Sequence, residues 1–212
     1  MGAKESIVIY GAGGHARVVV DTLVAQGRYI LTAIVDPGKA DTTFHSLTVR
    51  ENELGLEPTN FLVALGNNQL RKEIFAQLKS IGWTPAVVLH PTAVISPSAS
   101  IGAGTVVFAR TVVNANTSVG ENCIINTGAT VDHDCTIGDH AHVAPGCNIA
   151  GAVTVGEGAL VGIGSCVIQE VRLGAWSTLG AGSVATEDVQ ASTTVVGVPA
   201  RVSSPMSDSS VR

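Results

Sequence analysis

The sequence predicts a parallel β-helix, a solenoid of short strands, preceded by a small α/β domain with a parallel sheet. Three observations predict it: an aliphatic residue recurs at every sixth position of the C-terminal half, a small residue follows four positions after each, and the N-terminal third alternates between apolar strands and helical segments. The composition agrees, since 45% of the 212 residues are hydrophobic, only 4% are aromatic and 24 are glycine. Small aliphatic side chains suit a narrow, regular interior.

The six-residue period runs without a break from Ile95 to Leu179. All fifteen positions are Ile, Val or Leu, and the residue four positions later is always Ala, Ser, Thr, Cys or Val. Positions four and six lie two apart on a strand, so both side chains point inward. The three residues after each aliphatic form a turn, where Gly, Asn and Asp tolerate positive φ. One strand and one turn make one side of a triangular coil, which predicts five coils stacked about 4.8 Å apart.

This repeat resembles the hexapeptide-repeat solenoids, whose coils are left-handed. The expected fold is therefore a left-handed parallel β-helix. Cys123, Cys135 and Cys147 fall on the small inward position and are interpreted as core filler.

The N-terminal third predicts strands at 6–10, 31–35 and 61–65, with helices at 15–26 and 69–81. Alternating strands and helices indicate a parallel α/β domain. We place this nucleotide-binding domain at 1–85, the solenoid at 86–200, and a disordered tail at 201–212.

A glycine-rich turn, GAGGHA at 11–16, follows the first strand, and Asp36 ends the second. The pattern matches the dinucleotide fingerprint, which would mean a nicotinamide cofactor. However, the domain is too short for both halves of a dinucleotide fold, and no dehydrogenase residues follow. A glycine-lined turn at a helix N-terminus binds phosphate, and a carboxylate at the next strand end can accept hydrogen bonds from a ribose or base. A nucleotide diphosphate is the expected ligand.

Charge and cysteine content exclude several classes of protein. The 12 Lys and Arg residues against 17 Asp and Glu give a net charge of −5, so a basic face for nucleic acid is not expected. No apolar run approaches the ~20 residues of a membrane span, and the first residues lack a signal-peptide pattern. The four cysteines form no CxxC pair, which favours a cytoplasmic protein with reduced thiols.

Five segments resemble one bacterial family over nearly the whole chain: YGAGGHARVVVD, VALGNNQLRKEI, HPTAVISPSA, NTGATVDHDCTIGDHAHVAPG and VVGVPAR. It is the sugar acyltransferase family of the bacillosamine and perosamine pathways and of sialic-acid O-acetylation. The resemblance implies a homotrimer with active sites between neighbouring solenoids. It implies acetyl transfer from acetyl-CoA, without a metal, to the 4-amino group of a UDP- or GDP-linked 4-amino-4,6-dideoxy sugar. A sialic-acid-type O-acetyltransferase is the alternative.

Carried over by position, the resemblance implies three groups of site residues. The catalytic group has His133 as base, Asp134 as its carboxylate and Asn126 beside the base. The acetyl-CoA group is His142 near the thioester, with Gly151, Ile163 and Ala181 along the pantetheine arm; Ala181 replaces a family glycine. The nucleotide-sugar group is Gly13, Gly14, His15, Asp36, Gly66 and Asn67. Only one carboxylate, Asp36, stands where a relative has two, so uracil and guanine both remain open.

The run VDHDCTIGDHAHV at 131–143 holds three histidines with three possible uses. The hexad register places His133 and Asp134 on a corner between Ala115 and Gly151, and His142 on an outward flat face, with His140 expected at the surface. A histidine with a carboxylate can deprotonate an amine that attacks an activated thioester directly, while His142 or a backbone N–H holds the carbonyl. Two alternatives are a zinc carbonic anhydrase-like trimer, which lacks support because no His-x4-His occurs, and a nucleotide-sugar-binding module without chemistry.

Overall fold

In the computed structural model, which describes residues 4–203, an N-terminal α/β domain packs on one side of a parallel β-solenoid. The predicted fold class, a parallel solenoid of hexapeptide repeats behind a small α/β domain, is confirmed. No helix among the described residues is long and apolar enough to cross a membrane.

The N-terminal domain is a six-stranded sheet with helices α1 (Gly14–Gln26) and α2 (Asn68–Ser80). Its strands are β1 (Glu5–Tyr10), β2 (Tyr29–Val35), β3 (Thr43–Phe44), β4 (Leu47–Arg50), β5 (Asn60–Val63) and β6 (Thr84–Pro85), and a short 3-10 helix spans Pro37–Lys39. The strand order is β3-β4-β2-β1-β5-β6, with all neighbours parallel except β3 and β4. The three predicted strands and both helices are present; the sequence patterns did not reveal β3, β4 and β6.

The central strand β1 pairs with β2 on one side and with β5 on the other, so the strand order reverses direction at β1. At such a switch point, the loops that follow the two strands diverge and leave a crevice at the carboxyl ends of the strands. Gly11 closes this end tightly: its φ is +110°, and a Cβ there would lie 2.8 Å from the Ala64 carbonyl oxygen. Only glycine fits that position.

The solenoid has three flat faces of two- or three-residue strands. Face 1 consists of Val88–Leu89, Val106–Val107, Ile124–Ile125, His142–Val143, Leu160–Val161, Thr178–Leu179 and Thr194–Val196. Face 2 consists of Val94–Ile95, Val112–Val113, Thr130–Val131, Asn148–Ile149, Cys166–Val167 and Val184–Ala185. Face 3 consists of Ser100–Ile101, Ser118–Val119, Thr136–Ile137, Thr154–Val155 and Arg172–Leu173.

Strand pairing follows the predicted period, since Val106 pairs with Ile124, eighteen residues on. The solenoid extends beyond the five coils of the sequence pattern, from Val88 to Val196, and its last coil is shorter because Thr178 pairs with Thr194. The interior holds the aliphatic residues and the small inward ones, including buried Cys123, Cys135 and Cys147. The hydroxyl groups of inward threonines donate hydrogen bonds to backbone carbonyls of the next coil. The Thr105 hydroxyl, for example, donates to the Gly120 carbonyl at 2.8 Å.

Two corners of the solenoid are used below. The 1–2 corner comprises the turns from face 1 to face 2, at 90–93, 108–111, 126–129, 144–147, 162–165 and 180–183. The 2–3 corner comprises the turns from face 2 to face 3, at 96–99, 114–117, 132–135, 150–153 and 168–171. The third residue of many turns has positive φ, as at Asp134 (58°) and His140 (61°). Asp and Asn adopt this conformation more readily than other non-glycine residues.

The N-terminal domain covers face 1. The outward side chains of Val88, Val106 and Ile124 share one buried cluster with Val19 and Val20 of α1. Burial of about 25 cal/mol per Å² of apolar surface stabilises this contact, so the two domains pack as one unit.

The chain remains ordered beyond residue 200, where a disordered tail was predicted. Arg201–Val202 forms a strand that pairs antiparallel with Thr194–Val196. The predicted start of disorder at 201 is therefore wrong for these residues, because their backbone groups have partners on the last rung of face 1. The rest of that tail, 204–212, lies outside the described residues.

Candidate active site

A crevice of about 400 Å³ opens at the switch point of the N-terminal sheet, between the loops after β1, β2 and β5. Its lining is largely apolar and consists of Tyr10, Gly11, Asp36, Pro37, Gly38, Leu65, Leu70 and Ile74. A mostly apolar cleft with a few polar groups is typical of a small-molecule site. The crevice meets the glycine turn on one side and α2 on the other.

Asp36 organises the crevice, because both of its carboxylate oxygens accept backbone hydrogen bonds. Oδ2 accepts from the Ala12 N–H at 2.8 Å, and Oδ1 accepts from the Gly38 N–H at 3.0 Å. The carboxylate thus holds the glycine turn and the 3-10 helix together. Lys39, which the sequence patterns missed, extends from that helix and donates its Nζ to the Ala12 carbonyl at 2.9 Å. Its ammonium group lies beside Gly13, 4.0 Å from where a Cβ would be.

Gly13 and Gly14 form the N-terminus of α1 without a side-chain cap. No atom lies within 4 Å of a Cβ built on Gly14, so the backbone here is open to an approaching group. Uncapped N–H groups at a helix N-terminus favour an anion. Across the crevice, Asn67 caps α2 by accepting the Leu70 N–H on its Oδ1 at 2.9 Å, so its side chain has a structural partner.

His15 and His142 lie close together where the N-terminal domain meets face 1. Their ring centroids are 6.3 Å apart, and His15 packs edge-on against Phe108. Burial, together with the nearby Arg71 charge, lowers the pKa of His15 to about 4. The buried Nε2 of His15 has no hydrogen-bond partner among the described residues.

His142 points outward from face 1 as predicted, but the N-terminal domain covers it. Asn126 accepts the Thr127 N–H on Oδ1, so its Nδ2 faces the ring and donates to Nε2 of His142 at 3.1 Å. Burial, reinforced by the charges of Arg71 and His15, lowers the pKa of His142 to about 3, so the ring is neutral; the nearby Gly66 backbone acts weakly in the opposite direction. Nε2 thus has a side-chain partner within the chain.

His133 and Asp134 stand exposed on the 2–3 corner. Nδ1 of His133 lies 2.8 Å from Oδ2 of Asp134, and Asn116 donates to the other carboxylate oxygen at 3.0 Å. Because a carboxylate only accepts, Nδ1 carries the proton and Nε2 presents its lone pair to solvent. The Asp134 hydrogen bond, with the Asp132 charge, raises the pKa of His133 above its ordinary value. An available, strengthened base results.

Gly151 lies one coil beyond His133 on the same corner, as the period predicts. A Cβ at Gly151 would lie 2.6 Å from Cε1 and 2.7 Å from Nε2 of His133, so the ring lies directly on the glycine. The backbone N–H of Gly151 has no acceptor among the described residues. A base and an N–H donor without an acceptor thus lie side by side.

Ile163 and Ala181 lie on the 1–2 corner in line with Thr127, and the Gly182 N–H donates to the Ile163 carbonyl at 2.8 Å. Ile163 is 56% exposed, which leaves an apolar strip on this corner. Within one chain Asn126 and His133 lie on different corners of the solenoid, because face 2 separates their turns.

His140 is not the surface residue that its turn position suggested. It is 9% exposed, contacts Asn122 through Nδ1 at 2.9 Å and packs against Phe75 of α2. Helix α2 lies over this corner and removes the ring from solvent. Among residues 4–203, no three His, Cys, Asp or Glu side chains are grouped to hold a metal ion.

Comparison with known proteins gives matches for both domains. Residues 6–78 match the PglD N-terminal domain, and residues 116–151 match the bacterial transferase hexapeptide (six repeats). UDP-N-acetylbacillosamine N-acetyltransferase of Bacillus subtilis (strain 168) is 37% identical over 113 residues, which are 50% of this chain and 52% of that protein. The matched region thus spans about half the length of this curated relative.

Solved structures match nearly the whole chain. A variant of GDP-perosamine N-acetyl transferase from Caulobacter crescentus, in complex with CoA and GDP-perosamine, is 37% identical, with a TM-score of 0.89 over 96% of this chain and 99% of that one. The acetyltransferase domain of PglB from Neisseria gonorrhoeae FA1090, in complex with acetyl coenzyme A, is 36% identical, with a TM-score of 0.87 over 94% of this chain and 100% of that one.

Proposed function

This chain belongs to the family of bacterial sugar acetyltransferases that joins a PglD N-terminal domain to hexapeptide repeats, and we propose that it acetylates a nucleotide-linked 4-amino-4,6-dideoxy sugar with acetyl-CoA. The observation that carries the proposal is the exposed His133–Asp134 pair resting on Gly151, with Nε2 of His133 free to take a proton. The full-length relative bound to CoA and GDP-perosamine supports the two substrates.

The reaction is a direct attack. The amine nitrogen of the sugar attacks the thioester carbonyl carbon as Nε2 of His133 accepts the amine proton. Asp134 holds the Nδ1–H tautomer and stabilises the imidazolium that forms. The carbonyl oxygen becomes an oxyanion, the C–S bond breaks, and the CoA sulfur leaves with the proton that His133 carried. No acyl-enzyme is required, because the thioester is already activated.

The oxyanion donor in this scheme is the Gly151 N–H and not His142. Nε2 of His142 already accepts from Asn126 and the ring lies on face 1, whereas the Gly151 N–H has no acceptor among the described residues and belongs to the residue on which the base rests. A fixed N–H aimed at developing charge lowers the barrier most when it needs no rearrangement. His142 instead lies where face 1 meets the loop at 65–67, called the nucleotide loop below.

The nucleotide half of the substrate is assigned to the crevice at the switch point. The base enters the apolar part of the crevice near Leu65, Leu70 and Ile74, and the diphosphate lies on the Gly13–Gly14 turn beside Lys39. A helix N-terminus and an ammonium group together favour a doubly charged diphosphate. Asp36 supports the site by holding the turn, and UDP and GDP both remain candidates.

The site is completed by a second copy of the chain, in a homotrimer. The crevice, Asn126 and His142 lie on the face 1 side of one protomer, whereas His133 lies on the opposite corner. A sugar amine held by one protomer therefore reaches the base of its neighbour, while acetyl-CoA lies in the gap along Ile163 and Ala181. The exposed apolar strip at Ile163 is consistent with a covered surface in the assembly.

The test is acetyl transfer to UDP- and GDP-linked 4-amino-4,6-dideoxy sugars. The reaction is measured by thiol release from acetyl-CoA and by mass spectrometry of the sugar. We expect one nucleotide series to be N-acetylated, and His133→Asn to lower turnover by about 10²–10⁴ with the fold retained. Lack of thiol release with every amino sugar, or wild-type turnover in His133→Asn, would contradict the proposal.

A further inference from the structure

Arg71, on α2, is the most buried charged residue at the contact between the two domains. Its side chain is 1% exposed. Its donors contact carbonyl and amide oxygens only: Nε donates to the Asn122 carbonyl at 3.0 Å, Nη1 to the Leu65 carbonyl at 3.0 Å, and Nη2 to the His140 carbonyl at 2.6 Å. Nη1 also donates to Oδ1 of Asn68 at 2.8 Å. None of its contacts in the described part of the chain is a carboxylate.

These contacts lie on either side of the place where the Gly66 backbone approaches the His142 ring. Leu65, which accepts from Nη1, directly precedes Gly66 in the nucleotide loop. The carbonyls of His140 and Ala141, which face Nη2 at 2.6 and 3.4 Å, directly precede His142 on face 1. One planar group thus fixes the two segments whose next residues meet across the domain boundary. A guanidinium can do so because its five donors lie in a rigid fork.

The other ionic contacts between α2 and the solenoid are at the surface. Lys72 pairs with Glu157 and Lys79 with Glu121, and all four side chains are about 40% exposed. Exposed ion pairs contribute little to stability, typically below ~1 kcal/mol. The hydrogen bonds of Arg71 are buried, where leaving an acceptor without its partner costs more. The hydrogen bonds of Arg71 are therefore the stronger connection between the loop at 65–67 and face 1.

A displacement of the loop at 65–67 would change the shape of the nucleotide crevice. Leu65 lines the crevice, and its Cδ2 lies 2.9 Å from where a Cβ of Gly11 would be, so the glycine turn packs directly on this side chain. Close packing transmits such a displacement, since there is no free space to absorb it. We propose that Arg71 is a positioning residue for nucleotide-sugar binding, which sets the loop at 65–67 in register with His142 on the solenoid. The inference rests on the proposed function for its nucleotide ligand.

The test compares Arg71→Lys and Arg71→Met with Lys79→Met, which removes an exposed cation from the same helix. UDP and GDP binding is measured by calorimetry, and acetyl-CoA binding is measured in parallel. We expect Arg71→Met to weaken whichever nucleotide the wild type binds by tenfold or more, with less than a twofold change for acetyl-CoA. Arg71→Lys keeps the charge but loses the forked donors, so its nucleotide affinity should lie between those of the wild type and Arg71→Met. The affinity of Lys79→Met should equal that of the wild type. A purely structural role would lower the melting temperature and leave both affinities of the folded protein unchanged, which would overturn the inference.

A second readout needs no ligand or activity, and so separates this inference from the proposed function. The amide chemical shifts of 65–67 and the ring nitrogen shifts of His142 are followed by NMR. Arg71→Lys, which retains a buried cation and the better chance of folding, is expected to move both sets of signals, while Lys79→Met leaves them at their wild-type positions. Unchanged shifts in Arg71→Lys and Arg71→Met would overturn the inference even if acetyl transfer is observed.

Discussion

The imidazole of His133 rests on the α-carbon of Gly151, one coil further along the solenoid. The contact is so close that a Cβ at position 151 would lie 2.6 Å from the ring. The base is thus held between its hydrogen bond to Asp134 and a neighbour without a side chain. The eighteen-residue coil brings these residues together, although they are far apart in the sequence.

Gly151→Ala tests this contact. The backbone of Gly151 lies outside the left-handed region, so alanine is tolerated there, and the new methyl group must displace the ring. Because a displacement of about 1 Å at a reacting group can cost 10²-fold in rate, we expect kcat to fall tenfold to a hundredfold. Steady-state kinetics and the melting temperature are measured together. A wild-type kcat, or a loss that only follows unfolding, would contradict this view of the ring.

Asp134→Asn should shift the pH profile. The Asp134 hydrogen bond is the largest cause that raises the pKa of His133, and the base works only when deprotonated. The wild-type kcat/KM therefore falls as pH drops through that raised pKa. Removing the carboxylate lowers the pKa, so the acid limb moves to lower pH, while the rate at neutral pH falls because the tautomer is no longer fixed.

Asp132→Asn is the matched comparison, since Asp132 acts on the His133 pKa only through its charge, a smaller cause. Its acid limb should move less. Equal shifts in the two variants would show that the hydrogen bond to Asp134 has no special role.

Acid should weaken the contact between the domains. His15 and His142 have pKa values of about 4 and about 3 in the folded chain, against an ordinary 6.5. Below pH 6.5 the unfolded chain binds protons that the folded chain does not, so stability falls with pH until these lowered values are reached, by roughly 1.4 kcal/mol per pH unit for each histidine. Denaturant unfolding from pH 7 to pH 5 measures the slope. His142→Gln, which cannot titrate, should reduce the slope by roughly 1.4 kcal/mol per pH unit, while His140, whose pKa burial also lowers, adds to the slope in both proteins. An unchanged slope would exclude His142.

The regular part of this fold was predictable because one interior geometry repeats at every coil. From this repeat came the strands, the inward cysteines and the stacking of His133 on Gly151. The burial of His142 was not predicted, although the outward position on face 1 is Val106, Ile124 and Leu160 in neighbouring coils, a pattern typical of a covered surface. A repeat predicts the contacts between coils, but it does not show which other part of the chain packs on their outer faces.

Arg71 was missed for a related reason. It lies four residues before Phe75 and seven before Leu78 on α2, in the apolar stripe that is buried. A cation in such a stripe indicates a buried charge, but the partners of Arg71 are mostly backbone carbonyls, and every residue has one. Residue types alone therefore do not identify the acceptors. The separation of Asn126 from His133 was available from the repeat, since residues seven apart in sequence lie on successive corners.

Lys39→Met should weaken nucleotide binding. Its ammonium group lies beside Gly13 at the open N-terminus of α1, where a diphosphate is proposed to bind. A charge-assisted hydrogen bond contributes about 1.5–3 kcal/mol, so UDP or GDP should bind at least tenfold more weakly, with a reduced dependence on salt. Calorimetry at two salt concentrations measures both effects. Lys4→Met, at the opposite end of β1, should change neither; equal losses in both variants would point to net charge.

His133→Asn and Asn126→Ala should restore activity to each other if the site is shared between protomers, because the resemblance places both residues in the catalytic group. Asn126 lies on the 1–2 corner with the nucleotide half, and His133 lies on the 2–3 corner. In a trimer that contains both His133→Asn and Asn126→Ala, some interfaces combine an intact His133 from one chain with an intact Asn126 from its neighbour. Random mixing leaves about a quarter of the interfaces intact, so co-refolded protein should recover roughly a quarter of wild-type turnover. His133→Asn mixed with Gly151→Ala is the control, because both residues lie on the same corner, and little recovery is expected. Activity no greater than the average of the two variants would place Asn126 and His133 in sites within single chains.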